Sequence, residues 1–274
     1  MSQTNRKVLP GFSLSLGYTL LYMSLLALIP LAACFTKAFS LSFDQFWAAV
    51  WTPRTLAAYR FTFTVSILSS VASIILGFVI AWVLVRYEFP LKRIFDALID
   101  LPFALPTAVA GLVYSGLYVE NGWLGQFLVP LGIYGAYSRF AVVLVLTFLG
   151  IPFVVRTLQP VLESLEDDKE EAAYLLGASR SQTFWRVIFP TLIPALVTGF
   201  ALSLARGLGE YGSVVFVSGN MPFKTEIAPV LIVARLEEFA YAEATAIAVV
   251  LLVISFAMLV LINLLERWSK RYYA

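Results

Sequence analysis

Six apolar stretches recur along this 274-residue chain, at about 14–36, 61–85, 96–118, 139–160, 191–217 and 243–265. Each approaches or exceeds the roughly 20 mostly apolar residues that a helix needs to cross a hydrocarbon core of about 30 Å. None alternates apolar and polar residues with the two-residue period of a membrane β-strand. Helices are therefore the remaining way to satisfy every buried N–H and C=O in lipid. Composition agrees: 13% of the residues are charged and 60% apolar, against about 25% charged in soluble domains. The expected fold class is an all-α polytopic membrane protein with six transmembrane helices. The apolar blocks are spread over the whole chain, which favours one membrane domain.

Charge sets the expected orientation. With the N-terminus in the cytoplasm, the inner segments hold Arg6, Lys7, Arg86, Lys92, Arg93, Arg156, Lys169, Arg180, Arg186, Arg267, Lys270 and Arg271. The outer ones hold Lys37, Arg54, Arg60, Arg139, Lys224 and Arg235, and Arg206 is left inside a span. That is 12 cations against 6, so the positive-inside rule places both termini in the cytoplasm. Phe43, Phe46, Trp47 and Trp51 on one side, and Trp268, Tyr272 and Tyr273 on the other, fall where interfacial aromatics belong. Arg6-Lys7, an apolar run and Leu31-Ala32-Ala33-Cys34 imitate a lipoprotein signal. The run exceeds a secretory apolar region of about 7–15 residues, so Cys34 is expected to be an ordinary helix residue. Histidine is absent, which excludes a Cys/His zinc site and a Ser/His/Asp triad. A net charge of +2 gives no reason to expect a nucleic-acid partner; membrane lipid is the expected surroundings.

The loop at about 161–190 is long, charged and internal in this topology. Glu163, Glu166, Lys169 and Glu170 lie three or four apart and form one solvated helical face. Ala172, Leu175 and Leu176 make a short apolar stripe beside it. Gly177 permits a sharp turn. Arg180, Phe184, Trp185 and Val187 continue a second short helix, and Pro190 ends it or begins the next span. Periodicity alone leaves two readings open: a solvated tether, or a helix-turn-helix whose apolar ridge needs a protein partner.

Glu171-Ala172-Ala173, three residues, Gly177, nine residues and Val187-Ile188-Phe189-Pro190 resemble the Glu-Ala-Ala signature of permease subunits of ABC importers, with Val187 for Ile and Phe189 for Leu. That resemblance implies the MetI-like type I importer fold and a cytoplasmic coupling helix-turn-helix. It assigns Glu170, Glu171, Ala172, Ala173, Gly177, Val187 and Pro190 to docking on a separate ATP-hydrolysing subunit. Gly-x4-Gly-Lys-Ser/Thr is absent from the chain, so ATP and Mg are expected on that partner, with no cofactor or metal held here. Gly207-Leu208-Gly209-Glu210-Tyr211-Gly212 fits Gly-x-Gly-x-x-Gly, but a dinucleotide fingerprint must follow a strand in a βαβ unit.

Charges at membrane depth are costly and commonly functional. Arg206 and Glu210 share a helix face at i, i+4, either as a structural pair or as part of an anion route. Pro102 and Pro106 break the third span and free backbone carbonyls, serving either a packing kink or a polar cavity. Thr107, Ser203 and Arg206 are the side-chain donors available to an anion.

Two stretches narrow the resemblance. Asp100-Leu-Pro-Phe-Ala-Leu-Pro-Thr-Ala-Val-Ala-Gly111 looks like the sulfate and molybdate branch. Arg206 to Asn220, Lys224-Thr-Glu-Ile227 and Leu236-Glu-Glu-Phe239 are similar to T-type permease subunits of sulfate/thiosulfate importers. The likeness covers about Leu9 to Arg267 and implies one domain over 1–274, with a core at about 60–266 and an extra N-terminal span at 14–36. It also implies a W-type permease, two ATP-binding subunits and a periplasmic sulfate/thiosulfate-binding protein as partners in a bacterial inner membrane. Molybdate or tungstate as cargo and a stand-alone secondary transporter remain alternatives. An aspartyl enzyme built on Asp96 and Asp100 is disfavoured, since these acids lie at the cytoplasmic end of a span.

Overall fold

A computed structural model describes residues 12–165 and 167–273, and no β-strand occurs among them. The chain enters with α1 (Phe12–Ala38), then an interfacial α2 (Phe43–Val50) and the long α3 (Pro53–Arg86). Ser42 opens α2 with a capping box to Gln45, and Thr52 caps α3 with Pro53 in its first turn, a position where the missing N–H costs nothing. Next come α4 (Lys92–Ile99), α5 (Leu101–Ala104), α6 (Thr107–Tyr118), α7 (Gly125–Leu128) and α8 (Arg139–Glu163). They are followed by α9 (Asp167–Leu175), α10 (Arg180–Thr183), a π-helical turn over Phe184–Ile188 and α11 (Phe189–Leu208). The short α12 (Val214–Val217), α13 (Ala228–Glu237) and α14 (Tyr241–Tyr273) complete the described chain.

Among the described residues, five helices are long and apolar enough to cross a membrane: Leu14–Ala38, Pro53–Arg86, Arg139–Glu163, Arg180–Leu208 and Tyr241–Leu264. The expected span at 96–118 is not one of them. Asp100 closes α4, and Leu105 is extended (φ −84°, ψ 133°) because a residue before proline is driven out of the α region. What remains after Pro106 is the 12-residue α6, about 18 Å long and short of the hydrocarbon thickness. The expected span at 191–217 also stops early. Its helix ends at Leu208 and a bend through Gly209 and Gly212 separates it from α12.

The core lies where α3, α8 and α11 meet. Lipid tails are as apolar as leucine, so such helices gain by close approach and by internal hydrogen bonds rather than by expelling water. Small residues permit that approach. Gly150 of α8 faces Ser73 and Ser203, whose hydroxyls leave no room for a Cβ. A Cβ on Gly77 would sit 2.8 Å from Val154, and one on Gly199 2.8 Å from Thr157 Oγ1. Ser73 donates to Ser69 O (2.8 Å) and across the seam to Thr147 O (3.1 Å), and Thr147 donates to Val143 O (2.7 Å). Leu158, Leu192 and Leu204 are buried around the same seam. α14 is tied in by Tyr59, whose hydroxyl donates to Ile247 O (2.8 Å). α1 packs on α14 through the region of Cys34, Phe35 and Ala38, and much of its remaining surface is exposed apolar side chains.

Candidate coupling surface and polar clusters

Gly177 turns the chain between α9 and α10. Its φ is +82°, a region costly for L-residues other than glycine and, at times, asparagine or aspartate. Ser179 then opens α10 with a capping box: Gln182 N–H donates to Ser179 Oγ (3.3 Å), and Ser179 N–H to Gln182 Oε1 (2.8 Å). α10 runs without a break into the next span, so a single helix covers Arg180–Leu208. The second short helix expected from the sequence is present as α10, and Pro190 sits in the first turn of α11 at the start of the next span. Pro190 lacks an N–H and its ring crowds the carbonyl four residues back. The π-turn over Phe184–Ile188 widens the backbone just there.

The face expected to be solvated is divided. Glu163 belongs to the end of α8, Glu170 pairs with Arg86 at the end of α3, and Glu166 lies outside the described residues. Arg86 also stands 5.4 Å from the Trp82 ring centroid. Trp82 meets Phe184 edge-on at 5.5 Å, and Phe184 in turn touches Phe78, Trp185 and Phe189. This aromatic cluster and the Arg86–Glu170 pair fasten the α9–α10 segment to α3. Neither was legible from periodicity, because Arg86 and Glu170 are 84 positions apart and Trp82 and Phe184 102. The apolar ridge faces outward: Tyr174, Leu175 and Leu176 are 74%, 84% and 89% exposed. Beside it lies a hollow of about 700 Å³ lined by Glu170, Glu171, Tyr174, Leu175, Ala178 and Arg180, among others. Ala172 is exposed, Ala173 half-buried, and Val187 and Pro190 half-buried.

A second cluster went unrecognised in the sequence. Arg156 of α8 donates to Asp100 Oδ1 (2.9 Å) and Oδ2 (2.6 Å), to Asp96 Oδ1 (2.7 Å) and to Asp96 O (2.9 Å). Gln159 Nε2 donates to Asp96 Oδ1 (2.9 Å). Gln159's hydrogen bond, with the Arg156 guanidinium beside it, holds the Asp96 carboxyl below its ordinary range. The two acids sit i, i+4 around the break before α5, so Arg156 fixes the start of the broken segment to α8.

The third cluster closes α11. Arg206 pairs with Glu210, which is only 2% exposed and also accepts from Ser213 N–H and Ser213 Oγ–H, both at 2.8 Å. Because α11 ends at Leu208, the pair lies at a helix terminus rather than mid-helix. Arg206 complements the negative end of the helix dipole and offsets Glu210, which that dipole disfavours. Thr107 joins the cluster from α6: its hydroxyl fills the space a side chain on Gly212 would need, and the Ser213 carbonyl does the same at Gly111. Ser115 Oγ donates to Phe216 O (2.8 Å) along the same contact. Pro106 immediately precedes α6, and Pro102 is buried in α5 beside Phe148 and Ile151. Ser203 stands apart, in the α3–α8–α11 seam, where its buried hydroxyl has no hydrogen-bond partner. Arg206, Glu210 and Thr107 thus come together, while Pro102 and Ser203 do not join them. Gly207–Gly212 follows a helix, not a strand, so it lacks the setting of a dinucleotide fingerprint.

Five long apolar helices, a broken third segment and an exposed turn between α9 and α10 make up an all-α polytopic membrane protein. Residues 73–271 match the family described as binding-protein-dependent transport system inner membrane component, and the chain belongs to that family. It is 50% identical, over 93% of its length and 89% of the relative's, to the sulfate transport system permease protein CysT of Synechocystis sp.. Against the Escherichia coli protein of the same name it is 46% identical over 98% and 97% of the two chains. A bacterial ABC transporter that imports the acidic polysaccharide alginate has a chain of the same fold, with TM-score 0.74 at 19% identity, covering 93% of this chain and 94% of that one. A chain of the MetNI methionine ABC transporter follows at TM-score 0.59 and 16% identity, covering 84% and 99%.

Proposed function

We propose that this chain is a permease subunit of an ATP-driven importer that carries sulfate, and thiosulfate with it, across a bacterial inner membrane. The observation that carries the reading is its 50% identity over 93% of the chain with a sulfate transport permease. The energetics are consistent. A dianion entering an inside-negative cell climbs about 2.3 kcal/mol per charge per 100 mV, so about 4.6 kcal/mol in all, and accumulation needs an external energy source.

In this reading the α9–α10 segment docks into a separate ATP-binding subunit through Glu170, Glu171, Ala172, Ala173, Gly177, Val187 and Pro190. Support comes from the exposed ridge of Tyr174, Leu175 and Leu176, which lipid cannot cover if the segment stands in water. Two such subunits bind and hydrolyse ATP with Mg, a W-type permease completes the membrane pair, and a periplasmic sulfate/thiosulfate-binding protein delivers cargo to the segments around 37–60, 119–138 and 218–240. Both termini then lie in the cytoplasm, in line with the distribution of Lys and Arg, with the broken α4–α6 segment completing the sixth crossing. The Arg206–Glu210 pair, with Thr107 packed against nearby Gly212, lies beside the cargo route. Ser203, Pro102 and Pro106 shape the helices around it.

The test is radiolabelled sulfate uptake into vesicles holding the whole complex, with thiosulfate, molybdate and phosphate as competitors. ATP-dependent accumulation blocked by thiosulfate is expected. Molybdate as the stronger competitor would transfer the assignment to that anion. Sulfate accumulation by this chain alone, without any ATP-binding subunit, would refute the reading.

A further inference from the structure

At the end of the bundle opposite the α9–α10 segment, four cations come together from three parts of the chain. Arg54, in the first turn of α3, is neutralised: its Nε and Nη2 donate to the buried Glu226 carboxylate at 2.8 and 2.6 Å. The other three have no such partner. Arg60, Arg139 and Lys224 line one cavity of about 860 Å³, and no carboxylate lines it with them. None of the three joins an ion pair among the described residues.

The three cations are exposed to solvent at the cavity, and part of their arrangement is ordered. Arg139 Nε donates to Lys224 O (3.0 Å), which holds the loop against the start of α8, and its guanidinium lies 6.0 Å from the Phe61 ring centroid. Phe61, Phe140 and Phe223 line the cavity beside the three cations. Arg60 lies seven residues beyond Pro53, about 10 Å along α3 and just ahead of the expected span at 61–85, where a cation meets water or an anion. The N-terminus of the 25-residue α8 adds its own positive end.

The geometry points to Arg60, Arg139 and Lys224 as a receiving site for a doubly charged tetrahedral oxyanion, taken up as the binding protein releases it. This inference rests on the sulfate reading above and gives it a place on the chain. Glu226 serves as its boundary: by engaging Arg54 it leaves the remaining cations uncompensated by protein and available to cargo. A dianion about 6 Å from one cation in a water-like dielectric is held about tenfold more strongly than without it.

The test uses the full complex in phosphatidylcholine vesicles at saturating loaded binding protein, reading sulfate delivered per ATP hydrolysed. The variant combining Arg60→Gln, Arg139→Gln and Lys224→Gln is expected to deliver at least about tenfold less sulfate for each ATP that it does hydrolyse. The charge-conserving combination of Arg60→Lys, Arg139→Lys and Lys224→Arg is expected to match wild type. Wild-type delivery by the glutamine variant overturns the inference alone. A defect that appears only when phosphatidylglycerol is added assigns the site to a lipid headgroup phosphate and overturns it too. Loss of the second permease from the purified glutamine complex shows an interface contact, with the same result. Absence of ATP-driven sulfate uptake in wild type overturns the substrate assignment itself, and this site with it.

Discussion

Replacing Gly177 with valine isolates one backbone angle from everything around it. A Cβ at this position meets nothing within 4 Å, while φ is +82°. Any effect therefore comes from conformation and not from a clash. Holding an ordinary L-residue left-handed costs about 1–2 kcal/mol, and a β-branched residue fares worse there. The native turn between α9 and α10 should lose about 5- to 30-fold in population, while the spans, packed elsewhere, stay intact. Gly177→Ala should fall between the two, and Gly177→Asn, which tolerates this region, should stay near wild type. The assay is co-purification of the ATP-binding subunit with a tagged permease from membranes, alongside a measure of membrane insertion. Valine is expected to insert normally and to retain little ATP-binding subunit. Equal recovery for glycine, asparagine and valine would refute the reasoning that this turn presents a docking surface.

Arg156→Met should loosen α4 and α5 by about 1–2 kcal/mol, a figure kept low because Arg156, Asp96 and Asp100 are a third to a half exposed; thermal unfolding in detergent measures it, and adding Asp96→Asn with Asp100→Asn should restore part of the loss. Arg206→Ala leaves Glu210 buried with only Ser213 to solvate it, at about 2–3 kcal/mol given that Arg206 is itself 32% exposed. Adding Glu210→Gln should recover most of that stability in the same melt, and a transport defect that survives the recovery would separate a role in the cargo route from a structural one. Gly150→Val should lower the yield of folded protein sharply, since even a Cβ overlaps the Ser73 and Ser203 hydroxyls; Gly150→Ala with Ser73→Gly and Ser203→Gly should refold normally, and equal yields for all three proteins would count against the seam.

The apolar stretches announced the long helices because a lipid-crossing helix is a local property of some 20 residues. Leu14–Ala38, Arg139–Glu163 and Tyr241–Leu264 fall within a few positions of where the sequence put them. The third stretch is broken and the fifth ends nine residues early, for local reasons written in Pro106 and in Gly209 and Gly212, but hydropathy counts such residues without seeing the bend. The turn at Gly177 was legible because its chemistry lies in one residue. The i, i+4 spacing of Arg206 and Glu210 likewise foretold their pairing, although Glu210 reaches back from beyond the helix end. What stayed hidden is pairing at long range. The sequence places Asp96 and Asp100 at a span end without a partner, and α8 brings Arg156 to them; Glu170 reads as solvated, and α3 brings Arg86 to it. No spacing rule links positions 56 or 84 apart.

The unbroken helix from Arg180 to Leu208 makes the two ends of the chain's work parts of one rigid rod. At 29 residues it is about 43 Å long. Tilting its inner end by about five degrees swings Arg206 sideways by about 3 Å, the width of a hydrogen bond. If the α9–α10 turn docks as proposed, a small push at Ser179 reaches the Arg206–Glu210 pair along one continuous helix.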